Sequence, residues 1–497
     1  MSARARPSLS MPLSPRRRDP VRAARTLAAG LALALLAALP GCGERETAAR
    51  DPNAPTPRPE RPDVVVIVLD TTRADRVSFA GYGRPTTPRL DAFAKDAVVY
   101  ENCWSPSPWT APSHASLFTG LRVENHGLHR DVASSLPAAP PTLAERLKAA
   151  GYATAGFSTN PNVSRVTGLQ RGFDLFEQRL RGEMRRLPDM PGHHEAPQSA
   201  MVGAHASAQD LCDAGANWAL GRRAKDKPFL LFVNVLEPHL PYDPPQDVAA
   251  PLLSPTLPAD DVAWARAFQY PLSAIASFGA GEVSDTRRQA LRELYDAEIA
   301  TADRAVGALL DRLLEGKARD RTVVVVVGDH GENLGERRKY DHLYGLDAAL
   351  LRVPCLIRAP GALQGGRRER ALVRITDIAP TLLELCGAPA FEPADGLSLL
   401  GDLGARTSLA LVDPPYPSQL KALEEWLPGA DISAIRRHGL SATDGRLHLT
   451  RGDGRPDRLF DVALDPDEEH DIIDAHPAEA DALRALLRAA GLKLPGE

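Results

Sequence analysis

The chain has 497 residues, 43% of them hydrophobic and 25% charged, and 59 Lys and Arg against 64 Asp and Glu give a net charge of -5. That length can bury one large core with a smaller one appended, and the balance of charge gives no electrostatic reason to expect a nucleic acid partner. The five cysteines, at 42, 103, 212, 355 and 386, show no zinc-binding spacing, and Cys355 and Cys386 lie in apolar segments, so buried thiols are expected rather than a disulfide framework.

At the N-terminus, Arg16, Arg17, Arg18, Arg22 and Arg25 precede an uncharged Ala- and Leu-rich stretch, 26–40, which is too short to span a bilayer comfortably. With Leu39-Pro40-Gly41-Cys42 behind it, the segment 1–42 reads as a secretory signal ending in a bacterial lipobox, an uncleaved anchor being the alternative. The chain is therefore expected to be exported and lipid-anchored through Cys42, facing the periplasm or cell exterior. Residues 43–62, with several Pro and mixed charges, predict a disordered tether.

From Asp63 the pattern alternates. Asp63 to Leu69 is an apolar, β-branched run that predicts a buried parallel strand with Asp70 at its C-terminal end. Short helices are predicted over 88–95, with Thr87 as a candidate cap, and over 141–150, with a strand over 153–158 and another over 228–236. The segments 178–209 and 244–285 are weakly periodic insertions, candidate rims or lids, and His193-His194-Glu195 in the first reads as solvated loop. An amphipathic helix over 291–314 leads to a second all-Val strand, Thr322 to Gly328, which ends in Asp329-His330-Gly331-Glu332. Strands over 436–442, 447–451 and 457–462 and a helix over 477–489 close the chain. Such alternation implies a mostly parallel sheet covered on both faces. Sites in open α/β sheets form beyond the carboxyl ends of strands, so Asp70, Asp329 and His330 can converge although far apart in sequence.

Between the two strands stands Trp109-Thr110-Ala111-Pro112-Ser113-His114-Ala115-Ser116-Leu117-Phe118-Thr119-Gly120. Pro112 suits the first turn of a helix, whose backbone N–H groups would face a bound oxyanion. This run, with Asp70-Thr71-Thr72-Arg73-Ala74-Asp75, Asp329-His330-Gly331-Glu332 and Tyr340-Asp341-His342, resembles the sulfatase-like family of the alkaline phosphatase superfamily over most of the chain. The resemblance implies an α/β, alkaline-phosphatase/sulfatase-like fold, a catalytic domain over 63–405 and a small C-terminal α+β subdomain over 406–497. It departs from the sulfatase pattern at the nucleophile, where Thr110 replaces the Cys or Ser that is oxidised to formylglycine. A methyl on the carbinol carbon means that oxidation of Thr110 would yield a ketone. The accompanying Arg is His114, and the Lys and His that serve sulfate are absent around Asn160.

Asp70, Thr110, Asp329 and His330 match the metal-and-nucleophile set of the phosphate-transferring relatives, and the imidazole moves the preference from Ca²⁺ toward Zn²⁺ or Mn²⁺. His114 is a candidate contact to the transferring group, His239 resembles the family's substrate-contacting His, and His342 a position near the leaving group. His239 and His342 holding a second metal is the alternative. Asn160 and Arg73 are candidate substrate contacts; alternatively Arg73 and Asp75 support the ligands from behind, or form an exposed ion pair. The expected activity is metal-dependent hydrolysis of a small-molecule, glycan or lipid ester with Thr110 as nucleophile, phosphate favoured over sulfate. A sulfatase working without formylglycine, a phosphotransferase and a surface-binding lipoprotein on an inactive scaffold are the alternatives.

Overall fold

The computed structural model describes residues 59–493 except 131–133, 180–182, 187–198, 203–206, 280, 343–344 and 453–454. The expected signal, the expected lipobox Cys42, most of the expected tether and His193-His194-Glu195 lie outside the described residues. Where the tether comes into view it is already tied down: Arg61 donates to the Ala150 carbonyl at 2.7 Å and lies over the Tyr152 ring.

A nine-stranded sheet organises the catalytic region. Its main strands are β1 (Asp63–Leu69), β2 (Val98–Trp104), β3 (Ala153–Ser158), β4 (Leu175–Gln178), β5 (Phe229–Val235), β6 (Thr322–Gly328) and β7 (Arg352–Arg358). The spatial order is β2-β7-β6-β1-β5-β3-β4, with the short segments Arg368–Glu369 and Val373–Arg374 added beside β2. β1 pairs in parallel with β5 and β6, and β3 with β5 and β4; only β7 runs against its neighbours. The strands read from sequence as β1, β3, β5 and β6 are present, while β2 and β7, polar-interrupted and proline-containing, gave no clear period.

Side chains alternate across a pleat, and both faces of β1 are covered. Val65, Ile67 and Leu69 join one buried cluster with helices α2 (Ala208–Arg223) and α3 (Asp285–Leu313). Val64, Val66 and Val68 join the other, with α1 (Thr110–Thr119) and α4 (Ile378–Leu385). The uninterrupted Val runs of β1 and β6 follow from this double burial. The α3 helix begins six residues before the expected 291, capped by the Ser284 hydroxyl, which accepts from the Arg287 N–H. Thr87 makes no cap to the helix Pro88–Ala94; its hydroxyl instead bonds to Asp91 and Ser78.

The C-terminal region forms a four-stranded antiparallel sheet, β8 (Ser408–Val412), β9 (Gly439–Thr443), β10 (Leu447–Gly452) and β11 (Arg458–Asp461), covered by α5 (Pro477–Ala489). Pro55 to Glu497 forms one compact unit, so this subdomain is continuous with the catalytic region. Buried Glu468 joins the two, accepting from His448 of β10, from the Arg337 guanidinium at 3.3 Å and from the Ala348 N–H at 3.2 Å. Among the described residues no helix is long and apolar enough to cross a membrane, and Cys103, Cys212, Cys355 and Cys386 are buried free thiols.

Candidate active site

The register explains the convergence. Leu69, last of β1, lies opposite Gly328 of β6 and Val235 of β5, and Ser158 of β3 lies opposite Asn234 of β5. Asp70, Asp329, Asn160 and His239 are therefore carried out from one edge of the sheet. β2 points the same way and delivers Thr110 as the first residue of α1, a helix whose ten residues are all buried. Gly120 ends it with a φ of 69°, and a Cβ there would meet Pro380 Cδ at 3.2 Å.

Asp70, Asp329 and His330 place one donor atom each within 4.8 Å of one another, all buried. Thr110 Oγ1 sits 3.3 Å from His330 Nε2. Each ligand candidate has one side of its side chain anchored. Asp70 Oδ2 accepts from Asn160 Nδ2 at 2.8 Å and Asn234 Nδ2 at 3.0 Å, and Asp329 Oδ1 accepts from the N–H groups of Thr71 at 3.0 Å and His330 at 2.9 Å. His330 Nδ1 faces the Gly331 carbonyl at 3.0 Å, which assigns the proton to Nδ1 and leaves Nε2 a lone pair. The opposite oxygens, Asp70 Oδ1 and Asp329 Oδ2, are buried with no hydrogen-bond partner.

Two buried carboxylates with orphaned oxygens, beside a neutral imidazole and a hydroxyl, form the donor set of a divalent cation, and these residues fit the ion that the sequence implies. The electrostatics agree. Burial, and then the charge of Asp70, push the Asp329 carboxyl well above its ordinary range. Burial, and then the neighbouring His342, hold His330 well below its own, so it is neutral and able to bind metal. Thr71, a β-branched residue held at a φ of 50°, turns the chain so that its N–H reaches Asp329.

The other expected residues divide. Asn160 bridges the set, with Nδ2 also 3.4 Å from Thr110 Oγ1. His239, half-buried, presents its Nδ1 to the Leu240 carbonyl at 2.6 Å and stacks edge-on to His342 at 5.0 Å, while His342 lies 4.7 Å from the His330 ring. His114 is fully buried beneath Thr110: Nδ1 bonds the Thr110 carbonyl at 2.9 Å and the ring packs against Phe118 and Phe232. Its Nδ1 also lies 3.5 Å from Asp329 Oδ2 and burial holds it below the ordinary imidazole range, so it stands behind the first turn of α1 and against a ligand carboxylate.

Arg73 agrees with the supporting reading and not with the exposed pair or the substrate contact. It is 2% exposed, not part of a surface pair, and its guanidinium is engaged by Asp75 at 2.8 Å, Glu336 at 2.9 Å and the Glu332 carbonyl at 3.1 Å. No substrate contact is left for it to make; it fastens the β1 tip to the segment that carries His330. Asn234 was missed, although an amide in the otherwise apolar strand Phe229–Val235 is the kind of buried polar residue that needs an explanation. Glu332 and Asp341 were read as parts of motifs and given no role; both are buried beside His342.

A mostly parallel α/β sheet whose strand tips gather buried carboxylates, an imidazole and a hydroxyl is the setting of a hydrolase whose residues could hold a metal. The sulfatase family model matches residues 62–388, and the chain belongs to the sulfatase family of ester hydrolases. It is 28% identical over 352 residues to an ulvan-active sulfatase of Formosa agariphila, covering 69% of this chain and 65% of that protein. It is 27% identical over 403 residues to the multifunctional alkaline phosphatase superfamily protein PehA of Trinickia caryophylli, covering 68% and 76%. The fold is similar to that of the phosphonate monoester hydrolase of Agrobacterium radiobacter, with a TM-score of 0.64 and 23% identity over 87% of this chain and 95% of that one.

Proposed function

We propose that this hydrolase cleaves phosphorus esters, phosphate in preference to sulfate, with Thr110 as the covalent nucleophile. The observation that carries the reading is Thr110 Oγ1 itself, 3.3 Å from His330 Nε2 and 3.4 Å from Asn160 Nδ2, on a side chain that cannot become the formylglycine aldehyde. Asp70, Asp329, His330 and Thr110 would hold a divalent ion, Zn²⁺ or Mn²⁺ on the imidazole's account. When bound, it lowers the hydroxyl pKa and offsets charge on the ester oxygens.

The chain's own groups do the rest. Asn160 aligns Oγ1 and Asp70 together, and the first turn of α1 directs its N–H groups at the ester oxygens. Thr110 Oγ1 forms a bond to phosphorus as the bond to the leaving oxygen breaks in line, giving a phosphothreonine. Protonated His239, its Nδ1 fixed on Leu240, gives the proton at Nε2 to the leaving oxygen. Water then attacks phosphorus, passing one proton to the neutral His239 as the Oγ1–phosphorus bond breaks, and Oγ1 takes back from solvent the proton it lost on ionising; an acceptor alcohol in place of water would make the enzyme a phosphotransferase. The family relatives that act on phosphorus and sulfate esters support a small-molecule, glycan or lipid ester as substrate, and the N-terminal segment supports an exported, membrane-anchored enzyme.

Hydrolysis of a sulfate ester by the same threonine is the second reading, favoured by the similarity to the ulvan-active sulfatase. The two separate on one pair of measurements. Turnover of matched phosphate, phosphonate and sulfate esters should favour phosphorus, and mass spectrometry of acid-quenched enzyme should find phosphate on the peptide containing Thr110. Faster sulfate turnover, or a sulfated Thr110, would reverse the assignment.

A further inference from the structure

The C-terminal subdomain meets the catalytic region along a cleft of about 280 Å³. One wall is the hairpin of Asn333–Leu334 and Tyr340–Asp341, and the other is made by the ends of β9, β10 and β11. Asn333 and Tyr340 line the cleft, and their chain neighbours Glu332 and Asp341 lie 3.1 and 3.0 Å from His342, whose ring is 4.7 Å from that of His330. The cleft therefore begins one residue along the chain from the groups packed around the strand-tip site.

Its charge is one-sided. Arg337 and Lys339 line the first wall and Arg437, Arg451, Arg455 and Arg458 the second, against Asp347, Asp413 and Asp431, in a chain whose net charge is -5. Each of those carboxylates is already engaged: Asp347 by Arg337 and, at 2.8 Å, by Lys339; Asp413 by His438 at 2.7 Å; Asp431 by the Ser433 N–H at 2.9 Å. Asp457, which precedes β11, is held by Arg451 at 2.9 Å and Arg484 at 2.7 Å. Among the described residues no carboxylate pairs with Arg455 or Arg458, and both are exposed. Arg337 Nε is buried with no hydrogen-bond partner. Enclosure, and then the charges of Arg337 and Arg458, lower the Lys339 pKa, so the like charges act on one another. The backbone is bent to hold them: Arg337 and Arg338 are successive non-glycine residues with φ of 48° and 59°, a conformation that persists only where the surroundings impose it. A solvated basic surface keeps its cations apart in water; here they converge on a concavity, where the field is focused and an anion is favoured.

We propose that this cleft binds a second oxyanion of the substrate, a carboxylate, sulfate or phosphate remote from the ester that is cleaved, with Arg455 and Arg458 as its principal contacts. Guanidinium forks match the paired oxygens of all three groups. The inference deepens the reading of this enzyme as a phosphorus esterase and rests on it for the place of the scissile ester. Because one hairpin borders both the strand tips and the cleft, a molecule carrying an ester and a further anion can be held at both ends.

Two aryl phosphates that differ only in a sulfonate carried on a flexible chain from the ring test it at steady state with the full-length, metal-loaded protein. The sulfonated ester should have a KM about tenfold lower. Arg455→Ala with Arg458→Ala should remove that advantage by raising the KM of the sulfonated ester to that of the plain one, with kcat unaltered. Equal KM values for the two esters in the wild type, an advantage that survives the double variant, or a loss shared equally by both esters would overturn the cleft and leave the phosphorus esterase reading standing. Calorimetric titration of pyrophosphate into metal-stripped wild type and double variant needs no turnover. A loss of affinity of about tenfold in the variant supports the cleft even if phosphate proves not to be the ester cleaved, and equal affinities refute it.

Discussion

Thr110 is where the chemistry of this chain turns, and its variants separate nucleophile from scaffold. On the proposed mechanism Thr110→Ala removes a covalent nucleophile and a metal ligand together and should lose on the order of a thousandfold or more in kcat/KM, with an unchanged circular dichroism spectrum. Thr110→Ser should keep measurable turnover, because its hydroxyl can occupy the same position. Asn160 acts through its neighbours. Its amide holds Asp70 Oδ2 at 2.8 Å, so Asn160→Ala should weaken metal binding or activity by about 10- to 100-fold, measured by competition with a chelating dye and by steady-state kinetics. Full activity with unaltered metal affinity in that variant would remove Asn160 from the site. Asp70, Asp329 and His330 could be picked out from the sequence because they follow apolar runs, and Thr110 because the run that holds it resembles the sulfatase signature. Asn234 could not, because nothing in its own strand says that its amide reaches Asp70.

At the level of elements, the tips of β1 and β6 are held by a buried ion network rather than by apolar packing alone. Arg73, on the turn after β1, bonds Glu336, which follows β6. Arg73→Met would leave Glu336 buried without its partner and should cost about 3–5 kcal/mol, read from urea unfolding. Asp75 adds a pH dependence. Burial alone would raise its pKa, but the charge and hydrogen bonds of Arg73 outweigh this and bring it from 3.8 to about 2. A depressed carboxylate pKa stabilises the fold above its unfolded value, and this contribution is lost as pH falls from 3.8 toward 2. The Asp75 side chain is 47% exposed, so solvent screening limits the contribution to less than about 1 kcal/mol. Unfolding free energies of Asp75→Asn should accordingly show a shallower slope than the parent between pH 4 and pH 2.

For the whole molecule, the N-terminal segment and the catalytic unit make separate demands. The catalytic region folds on its own sheet, so the proposed anchor at Cys42 should matter for location and not for rate. Cys42→Ser should move the protein from the membrane fraction to the soluble exported fraction, followed by immunoblot, with kcat/KM unchanged. Persistence in the membrane fraction would end the lipoprotein reading.

The α/β class, the strands β1, β3, β5 and β6 and the convergence of Asp70, Asp329 and His330 follow from local sequence, because a doubly buried parallel strand must be a nearly unbroken β-branched run and its tip must stop at polar residues. Pairing is not encoded that way. β7 runs antiparallel between β2 and β6, and β8 joins the C-terminal sheet, for reasons that lie in what packs on them. The same limit applies to Arg73 and His114. A residue's own neighbours in sequence do not reveal whether a guanidinium will be enclosed by Glu336 and the Glu332 carbonyl, or an imidazole by Phe118 and Phe232. Burial and partner are set when segments more than a hundred residues apart close on one another, and only the tertiary structure decides them.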